Sequence, residues 1–165
     1  IAGVAYLATR RLRWDGLSQS AIEVGLVFAL IAIISGIIWA RPVWNTWWVW
    51  DPRLTTTAIM ALIYLAYFIL RSGFSSSETR ARLSAVYSIL AVLTVPLTFF
   101  SIRLFRTIHP VVVAAEGGSP FNMTPRMLTA LFASLLSFTL LLADLVWHRF
   151  RLAQLQDPHF FEEES

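Results

Sequence analysis

Long apolar runs separated by short polar segments dominate this chain. Four runs are long, at 21–40, 54–70, 83–102 and 127–147, and a shorter one, 1–9, opens the sequence. A bilayer crossing takes roughly 20 predominantly apolar residues in helical conformation. The four long runs therefore predict four transmembrane helices, and the short opening run predicts the tail of a fifth. The pattern predicts an all-α, polytopic membrane protein.

Proline and polar residues predict where these helices begin, bend and end. Pro96 lies inside the third long run, where it removes a helix hydrogen bond and predicts a kink. Asp51 followed by Pro52 and a long apolar run is the pattern of a helix N-cap and first helical residue. We expect one transmembrane domain over 1–152 and a polar tail over 153–165.

The composition supports this interpretation and excludes several functions. Hydrophobic residues make up 57% of the chain and charged residues 14%, against about 25% charged in a typical soluble domain. The absence of cysteine excludes disulfides, thiol catalysis and iron–sulfur clusters. The net charge of +3 comes from arginines scattered between apolar runs, so no nucleic-acid partner is expected. No nucleophile–base pair or phosphate-binding glycine loop is present, and we expect no enzyme.

The arginines predict how the chain is oriented in the membrane. Eight of them fall on one side of the predicted path and five on the other. The first group is Arg10, Arg11, Arg13, Arg71, Arg80, Arg82, Arg149 and Arg151, and the second is Arg41, Arg53, Arg103, Arg106 and Arg126. The excess predicts that the first side is cytoplasmic. The segment after the first long run and the loop containing His109 then share the outer face.

Tryptophans cluster in the segment between the first two long runs. Five of the seven in the chain are Trp39, Trp44, Trp47, Trp48 and Trp50. If 42–50 is helical, the three in the middle lie at i, i+3 and i+4 and form one stripe of indoles. Tryptophan favours the membrane interface whatever the function, so an aromatic belt is one interpretation. The local density instead favours a surface for a flat, apolar ligand that carries carboxylates, such as haem.

Arginines beside this segment have two possible roles. Arg41 and Arg53 are either interfacial anchors or partners of ligand propionates, because guanidinium groups pair well with carboxylates.

His109 is the histidine most suited to binding a metal. It lies on the expected outer face, and a helical extension of the preceding span would place Arg106 and His109 on one face. A neutral imidazole is a common axial ligand of haem iron. We expect His148 to end its helix, where the macrodipole favours it, and His159 to be solvated in the tail.

The segment Trp-Trp-Val-Trp-Asp-Pro-Arg-Leu-Thr over 47–55 resembles the WWD signature of membrane proteins that handle haem in cytochrome c biogenesis. Its Asp-x-Arg-Leu-Thr ending is similar to that of the haem exporter protein C family (CcmC). The lead-in Trp-Ala-Arg-Pro-Val-Trp over 39–44 and Thr-Ile-His over 107–109 also match that family. The likeness extends from the first apolar run to Trp147.

The resemblance implies a six-span parent in the bacterial cytoplasmic (inner) membrane. It implies that haem b binds noncovalently and transiently at the outer, periplasmic face, against a short interfacial tryptophan-rich helix. The implied haem-binding residues are Arg41, Trp44, Trp47, Trp48, Trp50, Asp51, Arg53 and Arg106, with His109 as an axial ligand of the iron. We expect that the chain lacks N-terminal residues and that a second axial histidine lies upstream of Ile1.

The resemblance also implies partners. Haem would pass to a membrane-anchored periplasmic haem chaperone, the E protein, and an ABC transporter of A and B subunits with a small D protein would release the loaded chaperone. Two other interpretations remain open. One is a membrane cytochrome that exchanges electrons with quinone, which normally places histidine pairs within its spans. The other is a structural assembly subunit without haem, whose indoles only anchor it in the bilayer.

Overall fold

A computed structural model describes residues 1–109, 121 and 123–156, and these residues form six helices and no β-strand. The helices are α1 (Ala2–Thr9), α2 (Leu12–Trp44), α3 (Pro52–Ser72), α4 (Ser77–Val92), α5 (Thr94–Leu104) and α6 (Pro125–Gln156). Four stretches are long and apolar enough to cross a membrane: α2, α3, α4 together with α5, and α6 as far as Leu155. The predicted all-α polytopic fold with four full spans is confirmed.

The third span is interrupted near the predicted kink, between α4 and α5. The helix is interrupted at Leu93, and Pro96 follows as the third residue of α5. Pro96 has no N–H to donate to the carbonyl oxygen of Val92, and its ring crowds that carbonyl. The break therefore lies one turn before the proline, where the helix loses this hydrogen bond.

Close packing of α1 against α4 builds the most buried part of the bundle. Tyr6 is buried together with Ala81 and Ala85. Gly3 lies where α1 approaches α4, and a Cβ there would collide with the Ser88 hydroxyl and crowd the Ala85 carbonyl. The small side chains on both helices therefore let the two backbones come close together.

Helix α2 is the centre of the bundle and contacts α1, α3, α4 and α6. At one end, Arg71 donates to both carboxylate oxygens of Asp15, at 2.7 and 2.9 Å. Arg149 of α6 donates to Glu23 at 2.8 Å. Although α6 contacts α2, its apolar stretch contains no buried residue. Apolar side chains that are not covered by protein are expected on a helix in a membrane.

The tryptophan-rich segment does not form the short interfacial helix predicted over 42–50. Helix α2 continues through Pro42 to Trp44, and Asn45 ends it with a φ of 55° in the left-handed region. Arg41 holds this turn by donating to the backbone and side-chain oxygens of Asn45, at 2.8 and 2.6 Å. Pro52 keeps Asp51 extended. The residues between are too few for another helix.

The predictions for the other two histidines, His148 and His159, concern the last helix and the tail. The prediction that His148 ends its helix is wrong, because α6 continues to Gln156. Its Nε2 lies 3.4 Å from Asp144 Oδ1 one turn earlier, and both side chains are exposed. His159 and the acidic tail lie outside the described residues. The domain boundary expected at 152 falls inside α6.

Replacing Asp15 with Asn should strongly destabilise the protein. The side chains of Asp15 and Arg71 are only 9% and 11% exposed, so the substitution leaves a buried guanidinium without its counter-charge. Breaking such a pair costs about 3–5 kcal/mol of unfolding free energy. Thermal unfolding in detergent, followed by circular dichroism, measures the loss.

Asp144→Asn is the matched control, because the Asp144 carboxylate is 63% exposed. Exposed pairs contribute about 0–1 kcal/mol, so this variant should unfold close to the wild-type temperature. Equal effects of the two substitutions would contradict a structural role for the Asp15–Arg71 pair.

Candidate functional site

Asp51 begins α3 in the way the sequence predicts. Its backbone is extended, with φ −74° and ψ 146°, and Pro52 is the first helical residue. Its Oδ2 accepts a hydrogen bond from the backbone N–H of Arg53 at 3.1 Å. The N-cap interpretation is therefore confirmed.

The same carboxylate holds the segment that follows α5. Its Oδ1 accepts from the Thr107 hydroxyl at 2.6 Å and from the Ile108 N–H at 2.9 Å. Its Oδ2 lies 2.9 Å from His109 Nδ1. Within the segment, the His109 N–H donates to Thr107 Oγ1 at 3.1 Å. One buried carboxylate thus joins the start of α3 to the irregular segment that carries the histidine.

The protonation of Asp51 follows from these contacts. Burial of the carboxyl acts to raise its pKa, but hydrogen bonds from Thr107, Ile108, Arg53 and His109 outweigh burial and hold the pKa below its usual value. Asp51 is therefore ionised at neutral pH. An ionised carboxylate only accepts hydrogen bonds.

His109 is oriented by this carboxylate. In the contact with Asp51, its Nδ1 must carry the hydrogen, which leaves the lone pair of the neutral imidazole on Nε2. Among the described residues, no hydrogen-bond partner lies on Nε2. A carboxylate on the far ring nitrogen is the usual support of a metal-binding histidine, because it fixes the tautomer and raises the basicity of the ligand.

The imidazole contacts one indole ring and shares a cleft with three more. The ring centroids of Trp44 and His109 are 5.0 Å apart, with the rings nearly perpendicular, and Trp39 contacts Trp44 in the same way at 5.1 Å. A cleft of about 60 Å³ lies between these rings. Its lining comprises Gly36, Ile37, Trp39, Ala40, Trp44, Trp47, Trp48, Leu54 and His109.

This cleft is too small to enclose a porphyrin, because pockets for ligands of that size measure about 300–1,000 Å³. Trp47, which lines the cleft, is 57% exposed, and Trp50, which lies outside it, is 78% exposed. Trp50 packs edge-on against Trp48 at 5.6 Å.

A second, shallow groove of about 430 Å³ lies on the other side of Asp51. Its lining comprises Val49, Trp50, Asp51, Pro52, Arg106, Thr107 and Ile108. The expectation that Arg106 and His109 share one helical face is wrong, because α5 ends at Leu104 and Phe105 is extended. Arg106 instead lies in the groove with Trp50, while His109 lies in the cleft with the other indoles.

The remaining arginines differ in their contacts. Arg41 is engaged by Asn45, and its guanidinium also lies 5.8 Å from the centre of the Trp47 ring. Arg53 is exposed in the first turn of α3. The assignment of Arg41 and Arg53 to the haem propionates stays a prediction.

Thr107 is a site residue that the sequence did not single out. Its hydroxyl donates to Asp51 and accepts from the backbone N–H of His109. A threonine two residues before a candidate ligand is a signal for such a local turn, because Ser and Thr hydroxyls often accept from the N–H two positions on. Its donation to Asp51, 56 positions away in the sequence, has no local signal.

Comparison with known proteins assigns the chain to a family. A family model described as "Heme exporter protein C" matches residues 1–159. Proteins of that name from Bradyrhizobium diazoefficiens and Haemophilus influenzae are 32% and 31% identical, over 88% and 81% of this chain and 55% and 54% of their own. A "Putative cytochrome c biosynthesis ccmC-like mitochondrial protein" from Marchantia polymorpha is 28% identical over 84% of this chain and 57% of its own.

The chain spans about half the length of these curated relatives. The family match, however, covers both the tryptophan-rich segment and the Thr107–His109 segment. This chain belongs to the haem exporter protein C family.

Proposed function

We propose that this chain presents haem at the outer face of the membrane, with the porphyrin against the exposed indoles and the iron on His109 Nε2. The observation that carries the proposal is the Asp51–His109 contact at 2.9 Å. That contact fixes the tautomer with Nε2 available, and the same imidazole packs on Trp44 beside the cleft. An imidazole with a carboxylate behind it and aromatic rings beside it suits a porphyrin-bound iron.

The propionates of haem are the charged part of the ligand and need cationic partners. Arg106 lines the groove beside Trp50 and is exposed, so it is the arginine we place nearest to a propionate. Arg41 lies against the Trp47 ring, and Arg53 is exposed in the first turn of α3, directly after Pro52. These two arginines complete the proposed set. Arginine suits this role because its planar fork matches a carboxylate.

Haem is cargo in this proposal, bound as noncovalent haem b and released. A ligand that rests over a cleft of about 60 Å³ stays accessible to a second protein. We propose that the acceptor is a membrane-anchored periplasmic haem chaperone, the E protein, and that the chain works with the A and B subunits of an ABC transporter and a small D protein. The relatives' names, which refer to haem export and to cytochrome c biosynthesis, support this placement.

Replacing His109 with Ala should remove most of the Soret absorbance of haem-loaded protein, because the iron loses its ligand from this chain. Absorbance spectra of wild-type and variant protein measure the change, after incubation with equal haem in detergent and removal of unbound haem, which also absorbs in the Soret region. His148→Ala is the control, since His148 is exposed on α6 at the other end of the bundle. An unchanged Soret band in His109→Ala would remove this residue from the site.

Replacing Asp51 with Asn should raise the midpoint potential of the bound haem. Asparagine still caps a helix well, but it lacks the charge that strengthens His109 as a donor, and a weaker donor stabilises ferric iron less. Haem affinity should fall by about 10–100-fold, as for other partners of metal ligands. Redox titration of the loaded protein measures the potential. A lower affinity with an unshifted potential would indicate that Asp51 only supports the fold.

Replacing Thr107 with Val should weaken haem binding, because the hydroxyl that joins Asp51 to the His109 segment is lost. Thr57→Val is matched in chemistry, but the Thr57 hydroxyl bonds only the backbone of its own helix, at Arg53 O. Haem titration should separate the two variants by about tenfold in affinity, the worth of one hydrogen bond to a charged group. Equal affinities would argue against a role for Thr107.

A further inference from the structure

A cavity of about 470 Å³ lies at the end of the bundle opposite His109. It is formed where α2 and α4 begin and where α3 and α6 end. The polar residues in its lining are Asp15, Gln19, Arg71, Ser72, Ser77, Arg80 and Arg149. Arginines from three different helices therefore face one space, and none of them belongs to the proposed haem site.

Two of these arginines are neutralised by carboxylates. Asp15 holds Arg71 through two hydrogen bonds, and Glu23 holds Arg149 through one. These pairs account for the negative charge next to the cavity and keep both guanidinium groups in place. The positive charge that remains is that of the third arginine.

Arg80 has no carboxylate within ion-pair distance among the residues that the structure describes. Its Nε is buried and has no hydrogen-bond partner there. A buried N–H of a charged group that lacks a partner costs free energy, and such a group needs an explanation. Arg80 lines the cavity, so an anion bound there would supply the missing counter-charge.

The start of α4 adds to the attraction for an anion. Ser77 is the first residue of α4 and lines the cavity, so the positive end of the helix dipole lies at its wall. Guanidinium forks and helix N-termini both suit the oxygen atoms of a phosphate. The cavity also lies at the ends of spanning helices, which is where lipid headgroups lie, and basic pockets between such helices bind anionic headgroups.

We infer that this cavity binds a phosphate group through Arg80, and that the group belongs to the headgroup of an acidic phospholipid. Arg71 and Arg149 shape the wall, and the start of α4 faces the phosphate. A free phosphate has the same chemistry, so the source has to be distinguished by experiment. This inference is independent of the haem proposal, because its site lies at the other end of the bundle.

The test compares Arg80→Gln with Arg82→Gln in the full chain, purified in a neutral detergent. Arg82 lies on the same helix with the same charge but is exposed and does not line the cavity. One arm titrates phosphatidylglycerol and the other inorganic phosphate, with phosphatidylcholine as the uncharged baseline. Ligand binding is measured from the rise in unfolding temperature, since a ligand of the folded state stabilises it.

Phosphatidylglycerol should stabilise the wild type and Arg82→Gln alike, and bind Arg80→Gln at least about tenfold more weakly, the loss expected for a charge-assisted hydrogen bond. A response to the lipid alone identifies a headgroup. A response to inorganic phosphate of equal strength confirms the phosphate site but assigns it to the free ion. Equal binding by the two variants, or no response to either compound, would overturn the inference.

A second variant covers the case in which Arg80→Gln does not fold. Ser77→Asp places a carboxylate at the wall of the cavity, while an acidic residue in the first turn favours the helix. It should therefore fold and should bind phosphatidylglycerol more weakly by a similar factor. Unchanged lipid binding by a folded Ser77→Asp protein would also overturn the inference. The Soret band of haem-loaded protein should be unaffected by these substitutions.

Discussion

The geometry at the tryptophan-rich end depends on one buried carboxylate. Asp51 accepts four hydrogen bonds, from Arg53, Thr107, Ile108 and His109. Through the first it begins α3, and through the others it fixes a segment that the chain reaches only after two more helices. Among the described hydrogen bonds, only those to Asp51 join the 107–109 segment to another part of the fold. The N-cap and the support of the histidine are therefore one interaction.

The two ends of the bundle are built differently. At one end, the Asp15–Arg71 and Glu23–Arg149 pairs tie α2 to α3 and to α6. At the other end, the backbone leaves regular helix between Asn45 and Asp51, and large indoles remain exposed. Exposed aromatic surface costs free energy in water but is tolerated at a membrane interface. The irregular end thus has the surface on which a flat apolar ligand can rest.

Much of this could be predicted from the sequence because it is local. Apolar runs fix the spans, the Asp51–Pro52 pair fixes the start of α3, and Pro96 explains the interruption of the third span. The expected helix over 42–50 was wrong because Arg41 and Asn45 end α2 within the tryptophan cluster. The roles of Thr107 and His109 depend on Asp51, which is more than 50 positions away. The spacing of apolar and polar residues along the chain does not predict such a distant contact.

We propose that Asp51 holds His109 so that Nε2 meets the haem iron, and a structure of the haem-loaded protein would test this. We expect iron bonded to Nε2, Asp51 still hydrogen-bonded to Nδ1, and the porphyrin lying against the exposed indoles Trp47 and Trp50. Iron bonded to no residue of this chain, or a porphyrin away from these indoles, would contradict it.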